Sequence, residues 1–550
     1  MNKINKSIQS FLIGALGIFI FIMPLLTLFA LAFETEGGFS LQNFNAIFSS
    51  SRSGLAIKNT LIVGGASTVL AFLLGGLYAF MVAYTNVKYK KLLEILIILP
   101  YLIPGYIVTL AWTSLFSGNG VINRLLMQLG LPKVSMYSLG GIIFVLGVSN
   151  AALVYLNLVD VLRKIPQEQE QASQVAGYSL KETLMKINLK SVRGPILSAI
   201  VLSFLSAIDN FAIPITLGTP GGISVLSTYI YEKAIGFGPT SFNEASALAI
   251  VLSSVSLVAV LIQKSLTLRE KPLESQMASY HHRLALKPVK RRLLQTVLIV
   301  LLVILNIIPL IFMFLSSLHK GYVRSIFDVS HMSLANYQFI LTTPGMYSGF
   351  LTSLWLTLSS LAVCLLIGVW VMYMKSRYQL KSVFFVETGA SLTYSVPGIV
   401  LALSMIFYWG KVPNVYGTML ILWIAYVTRY ALLLIRGSQT AFMTVGPELE
   451  EAAIVSGSSS IEKWFKIIFP MIRQQLLSSS FLMIVGALTE LTLSSLLSAA
   501  NSKTIGLTIF ALQTGGDNAI AQAYSVLLTL LILTILMMRS RWENKEGKSK

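Results

Sequence analysis

Few residues of this chain are of a type and placement that could do chemistry. Asp209 and Glu490 lie in "FLSAIDNFAIPITLG" and "GALTELTLSSLL", inside runs that are otherwise apolar. A carboxylate at the centre of a membrane-crossing helix costs about 2.5–3.5 kcal/mol on insertion scales, so each demands a reason. Two readings are open. Asp209 and Glu490, with the adjacent Asn210, face an interface between two parts of the chain and line or gate a route, where carboxylates suit a cationic or metal-bearing cargo. Alternatively each is satisfied by a polar neighbour such as Asn210 or Thr489. Arg429, in "YVTRYALLLIRG", is expected to pair with a carboxylate of another span. Glu94 and Glu387 sit near the ends of their runs, where a long side chain reaches the interface. Signs of catalysis are lacking. His281 and His282 have no carboxylate or cysteine at metal-ligand spacing, and neither a nucleophile elbow nor an acid-base carboxylate pair is found. Gly547-Lys548-Ser549 lacks the earlier glycine of a phosphate-binding loop, because Trp542 stands there. Cys364 is alone, so it forms no intrachain disulfide. The expected chemistry is passage rather than reaction, with no catalytic residue, cofactor or metal of the chain's own.

The elements that must position these residues are membrane helices. Hydrophobic residues make up 55% of the chain and charged ones 11%, with a mean hydropathy of +0.75, which excludes a soluble globular protein. About twelve apolar runs approach the length needed to cross a bilayer. They cover 11–33, 60–84, 92–115, 140–162, 196–217 and 244–263, then 293–316, 350–374, 382–408, 416–437, 474–497 and 519–538. The first run is read as a span, being too long for a signal-peptide core and without a small-residue cleavage site. With both termini in the cytoplasm, most of the 41 Lys and Arg fall on the inner side. The net charge of +19 therefore reads as topology and contact with anionic lipid, not as nucleic-acid binding.

The chain also repeats itself. "EILIILPYLIPG" matches "ETGASLTYSVPG" at an offset of 293, pairing Glu94 with Glu387 and Pro104-Gly105 with Pro397-Gly398; farther on the offset is 280. Both Pro-Gly steps are expected to bend their spans. Each half has six spans, an even number, so the two enter from the same side as parallel repeats. The division is 1–263, a basic cytoplasmic linker at 264–292, and 293–550.

Each half carries one polar inner loop, at about 163–195 and 438–473. In the second, Pro447 suits a first helical position, Glu448, Glu450 and Glu451 set negative charge on the helix N-terminus, and Gly457 is placed to end the helix in a left-handed conformation. A second helix is expected from Ser460 until Pro470 interrupts it. The first loop repeats this plan with Pro166, Glu168, Glu170 and Gly177. Ala172, Ala452 and Ala453 leave a small, closely approachable face. One such helix could simply rest on the membrane. Two, with matched start and stop residues, point to a docking partner with two equivalent sites.

Glu451-Ala452-Ala453, then three residues, Gly457, and farther on Ile467 and Pro470, resemble the EAA loop of permease subunits in binding-protein-dependent ATP-binding-cassette (ABC) importers. The first loop keeps Ala172, Gly177, Ile187 and Leu189, while Gln171, Ser173 and Lys190 depart from the pattern. The resemblance covers nearly the whole chain and implies the all-α, type I importer permease fold of a multi-pass bacterial inner-membrane protein. It also implies a homodimer of cytosolic ATPase subunits that bind the ATP and dock at Glu170, Gln171, Ala172, Gly177, Glu450, Glu451, Ala452, Ala453, Gly457 and Pro470. An extracytoplasmic substrate-binding protein is a further implied partner. The segments holding Asp209 and Glu490 look like those of ferric iron transporter permeases, whose relatives carry thiamine, polyamines or 2-aminoethylphosphonate. A rival reading is a secondary transporter of two parallel six-helix halves, which needs ion-coupling carboxylates but no docking helices.

Overall fold

The computed structural model describes the chain except residues 1–2, 119, 237, 239, 268–283, 321–326 and 548–550. His281, His282, most of the basic linker and Lys548-Ser549 lie outside the described residues.

Among the described residues nine helices are long and apolar enough to cross a membrane: Asn5–Phe33, Ser51–Tyr84, Leu139–Arg163, Ser241–Leu266, Pro288–Ser317, Pro344–Tyr378, Met419–Met443, Ser460–Leu488 and Asn518–Arg539. Two bent pairs, Lys90–Leu102 with Gly105–Leu115 and Lys181–Ser191 with Arg193–Asp209, raise the count to eleven against the expected twelve. Val383–Ser395 and the shorter Gly398–Trp409 align with the first of these pairs at the offset of 293, and we take them together as the twelfth crossing. We number these spans one to twelve in chain order. The sixth helix runs on to Thr267 and the seventh begins at Pro288, so both extend into the stretch expected to be linker.

Proline acts in two ways here, and the difference is local. At Pro104 and Pro397 the preceding residues, Ile103 and Val396, are extended, as the clash with a proline ring favours, and the helix stops. The third span turns by 100° at its break. At Pro24, Pro309 and Pro470 the helix continues, because a π turn (Gly17–Ile22, Val303–Ile307 and Trp464–Ile468) ends just ahead of each. The widened turn, closed for example by Phe469 N donating to Trp464 O, takes up the missing proline N–H without breaking the axis. This corrects the expectation for Pro470: the helix that starts at Ser460 runs unbroken to Leu488.

The repeat holds at the level of single hydrogen bonds. Asn43 Nδ2 donates to Ala32 O and Glu34 O at 3.0 and 2.9 Å, and Asn336, 293 positions later, does the same to Ser317 O and His319 O at 2.8 and 2.9 Å. Thr60 Oγ1 accepts from Leu226 N, as its counterpart Ser353 Oγ accepts from Ile505 N. Both pairs tie a span end to a loop of the same half.

The halves clasp each other through their first spans. Ser10 Oγ donates to Ser382 Oγ and Trp370 Nε1 to Gln9 Oε1, so the start of span one lies on the second half. Reciprocally, Asn306 of span seven donates to Leu96 O of span three. Close approach requires glycine here: a Cβ on Gly17 would lie 2.7 Å from the backbone of Phe385 and Val386, and one on Gly389 would lie 2.7 Å from Phe21 Cβ. Gly17→Val is expected to cost about 1–3 kcal/mol by overpacking, seen as a lower unfolding temperature of the detergent-solubilised chain. An unchanged transition would mean that the two halves are not held there.

Candidate functional site

The two polar loops fold alike. Helices Gln167–Val175 and Pro447–Val455 each carry two acids in the first turn, against the partial positive charge of the helix start. Each ends on a left-handed glycine, Gly177 at φ +88° and Gly457 at φ +81°. Tyr178 N donates to Ser173 O and Ser458 N to Ala453 O, the long bonds of a Schellman ending. A capping box then restarts the chain, Ser179 with Glu182 and Ser459 with Glu462. Lys466 Nζ and the backbone and hydroxyl of Ser459 all donate to the exposed Glu462 carboxylate.

The acids split into two roles that spacing alone did not separate. Glu450 is buried, its Oε1 2.5 Å from Arg377 Nε and its Oε2 3.1 Å from Lys463 Nζ and 3.2 Å from Tyr373 Oη. Burial raises its pKa, but the hydrogen bonds from Arg377 and Lys463 outweigh that and hold the carboxyl below the usual range. Arg377 also donates to Val445 O, so this one anion fastens the loop helix to spans eight and eleven. Glu170 is buried at the matching point of the first loop, taking hydrogen bonds from Asn188 Nδ2 at 2.6 Å and Tyr84 Oη at 3.2 Å. Offsets of 293 and 280 align Arg377 with Tyr84 and Lys463 with Thr183, so the brace is rebuilt with different chemistry. Arg377, Lys463, Tyr373, Tyr84 and Asn188 were not singled out from sequence, since the spans that supply them lie far away in the chain.

The outer face of each loop helix is free among the described residues. Gln171, Ala172, Glu451 and Ala452 are exposed, whereas Ala453 and its counterpart Ser173 point inward. The equivalent valines Val175 and Val455 are 90% and 89% exposed, apolar surface at the tip of an otherwise polar helix. Such a patch, present twice, fits a protein contact. Pro470 lies inside span eleven, just after the π turn Trp464–Ile468.

The second candidate site lies where broken helices meet. Asn210 Oδ1 accepts from Ile213 N at 2.9 Å and Glu490 Oε1 from Leu493 N at 3.0 Å, so these two residues, 280 apart, cap the short helices Ala212–Leu217 and Thr492–Leu497. The true counterpart of Glu490 is thus Asn210, and Asp209 aligns with Thr489. Glu490 Oε2 also accepts from Tyr430 Oη at 2.7 Å.

Asp209 instead reaches across to the second half. Its Oδ1 accepts from Gly398 N at 2.8 Å, at the start of helix Gly398–Trp409, and its Oδ2 lies 3.3 Å from Arg429 Nη2. Arg429 Nη1 donates to Val396 O at 2.6 Å, with Tyr394 O and Thr393 O at 3.3 and 3.4 Å, at the end of helix Val383–Ser395. The break in span nine therefore has an anion on its positive helix end and a cation on its negative one. This answers the question of Arg429's partner: the carboxylate comes from the other half. Ser149 aligns with Arg429 in the first half, so the arrangement is asymmetric. Glu94 and Glu387 each form an ion pair within their own half, but with cations at non-equivalent places: Arg163 of span four at 2.7 Å and Lys375 of span eight at 2.6 Å.

Twelve helical crossings in two parallel halves, with twin short helices at one end and broken spans meeting between the halves, make up a polytopic transport permease. Residues 67–271 and 365–542 match the binding-protein-dependent transport system inner membrane component family, once in each half, and the chain belongs to that family. It is similar to the ferric transport system permease protein FbpB of Actinobacillus pleuropneumoniae, with 24% identity covering 96% of this chain and 78% of that one. It is also similar to the sulfate transport system permease protein CysT of Salmonella typhimurium, with 25% identity covering 45% of this chain and 87% of that one. Among solved structures, that of a bacterial alginate ABC transporter in complex with alginate pentasaccharide-bound periplasmic protein is 26% identical over 46% of this chain and 90% of that one, with a TM-score of 0.40.

Proposed function

We propose that this chain is the membrane subunit of an ATP-driven importer of ferric iron, docking two cytosolic ATPase subunits at helices Gln167–Val175 and Pro447–Val455. The observation that carries the docking assignment is the twin construction: a capped helix, an exposed valine tip and a buried acid brace, present once per half. ATP is bound by the partner subunits, and their closure pulls on the loops. An extracytoplasmic binding protein delivers the ion to a route between the halves in the inner membrane, with both termini and both loops on the cytoplasmic side. Asp209, Asn210 and Glu490 line that route. Support for a ferric cargo is the likeness, over 96% of this chain, to a ferric transport permease and the two carboxylates at the meeting of the broken helices.

The test is uptake by proteoliposomes holding the permease, its ATPase and its receptor. Radioactive ferric iron is expected to accumulate with ATP and not under an ion gradient alone. The double variant Glu451→Ala, Gly457→Val, altered on the exposed face and at the left-handed turn, is expected to insert normally but to lose ATP-driven uptake. Normal coupling in that variant would contradict the docking assignment. Transport of sulfate, thiamine, a polyamine or 2-aminoethylphosphonate in place of iron would overturn the cargo alone.

A further inference from the structure

Beside the first loop the two halves part company. A cavity of about 460 Å³ lies between span two, span four and the bend entering span five, walled by Leu73, Leu77, Leu162, Leu189 and Ile196 and bordered by Lys181. Leu73, Leu77 and Leu189 are exposed, so the cavity opens sideways on the flank that a bilayer covers. The other polar lining residues, Asn188 and Tyr84, are engaged with Glu170: Asn188 donates its amide to Glu170 and to Tyr84 Oη, and Tyr84 donates to Glu170. Lys181 is exposed and makes no ion pair among the described residues, and Lys190 and Arg193 are exposed on the same bend.

The second half differs at the positions that matter. Trp370 aligns with Leu77, Trp464 with Leu184, and Ile461 with Lys181. The Trp464 ring packs 4.8 Å from that of Tyr373, and Trp370 is bonded to Gln9 of span one. Indole side chains thus stand where the first half has Leu77 and Leu184, and an isoleucine stands where it has Lys181. The helix also differs: the first loop enters its span through a 68° bend, the second without a break.

We propose that this cavity binds one acyl chain of an anionic phospholipid whose phosphate is held by Lys181. An apolar slot open to lipid and bordered by an ammonium that has no ion pair among the described residues is complementary to that molecule. Because the slot sits in the angle between the first loop and its span, an acyl chain there wedges the bend, and the first loop responds to membrane composition while the second does not.

The test uses the full chain in its importer complex, exchanged into nanodiscs of phosphatidylcholine with or without phosphatidylglycerol and released for native mass spectrometry. Wild type is expected to retain one phosphatidylglycerol in preference to phosphatidylcholine. Leu77→Trp, which copies the second half, is expected to abolish retention. Lys181→Ile, at an exposed position that leaves the fold intact, is expected to weaken it about fivefold. Equal retention by Leu77→Trp and wild type, or by phosphatidylcholine and phosphatidylglycerol, would overturn the proposal. Neither cargo nor ATP enters the measurement, so the result stands apart from the ferric assignment.

Discussion

Glu450→Ala is expected to destabilise the chain by about 3–5 kcal/mol, the usual consequence of removing one partner from a buried ion pair. Arg377 and Lys463 have side chains only 10% and 12% exposed, and without the carboxylate two cations remain with little access to water. The loop helix also loses its fastening to span eight. ATP hydrolysis is then expected to continue without uptake, because the helix no longer transmits force to the spans. Glu451→Ala, on the exposed face, is expected to leave the unfolding temperature unchanged. Replacing Arg377, Glu450 and Lys463 together by Met is expected to recover much of the stability, since an apolar cluster of similar volume needs no compensation. Should Glu450→Ala unfold at the wild-type temperature, the carboxylate is not a brace.

Arg429→Met is expected to give the second large effect, through span nine. The guanidinium serves the carbonyls of Thr393, Tyr394 and Val396 and the carboxylate of Asp209 at once. Removing it leaves a helix end without its cation, and each buried carbonyl left unsatisfied costs about 1–3 kcal/mol. Asp209→Asn is expected to be milder, because the Asp209 side chain is 37% exposed and the ion pair is screened, while the amide oxygen still accepts from Gly398 N. Its functional signature differs: with the tie between halves weakened, ATP hydrolysis without receptor is expected to rise. A double-mutant cycle on unfolding is expected to show a coupling of about 0.5–3 kcal/mol. Strict additivity would separate the two residues.

The architecture was legible because hydropathy and internal alignment report different things that agree. Apolar runs located the crossings, and the offset of 293 that paired Glu94 with Glu387 in the sequence also relates Asn43 to Asn336, whose equivalent hydrogen bonds the fold shows. Pro104-Gly105 and Pro397-Gly398 were readable as breaks because the pair combines a proline, which stops the incoming helix, with a residue that lets two backbones meet closely. Pro470 was misread for a related reason. Proline stops a helix only when no wider turn precedes it, and nothing in "WFKIIFP" announces a π turn.

The loops were legible in outline and not in their inner wiring. Glycines at a left-handed φ and acids at a helix start are local requirements, so Gly177, Gly457, Glu170 and Glu450 stood out. That Glu450 faces inward while Glu451 faces outward depends on spans eight and eleven, whose packing the loop's own residues do not encode. The same limit applies to Asp209: its sequence placed it beside Asn210 in an apolar run, whereas the fold makes Asn210 the counterpart of Glu490 and sends Asp209 across to Arg429.

The reciprocal clasp of the first spans bears on how the chain is made. Ser10 meets Ser382 across a sequence separation of 372 residues. During synthesis the opening helix enters the lipid long before its seat exists, and it must wait there while most of the polypeptide is threaded into the bilayer. Joining both halves in one molecule keeps the waiting helix tethered near its own seat, which favours correct closure over capture by a neighbouring copy.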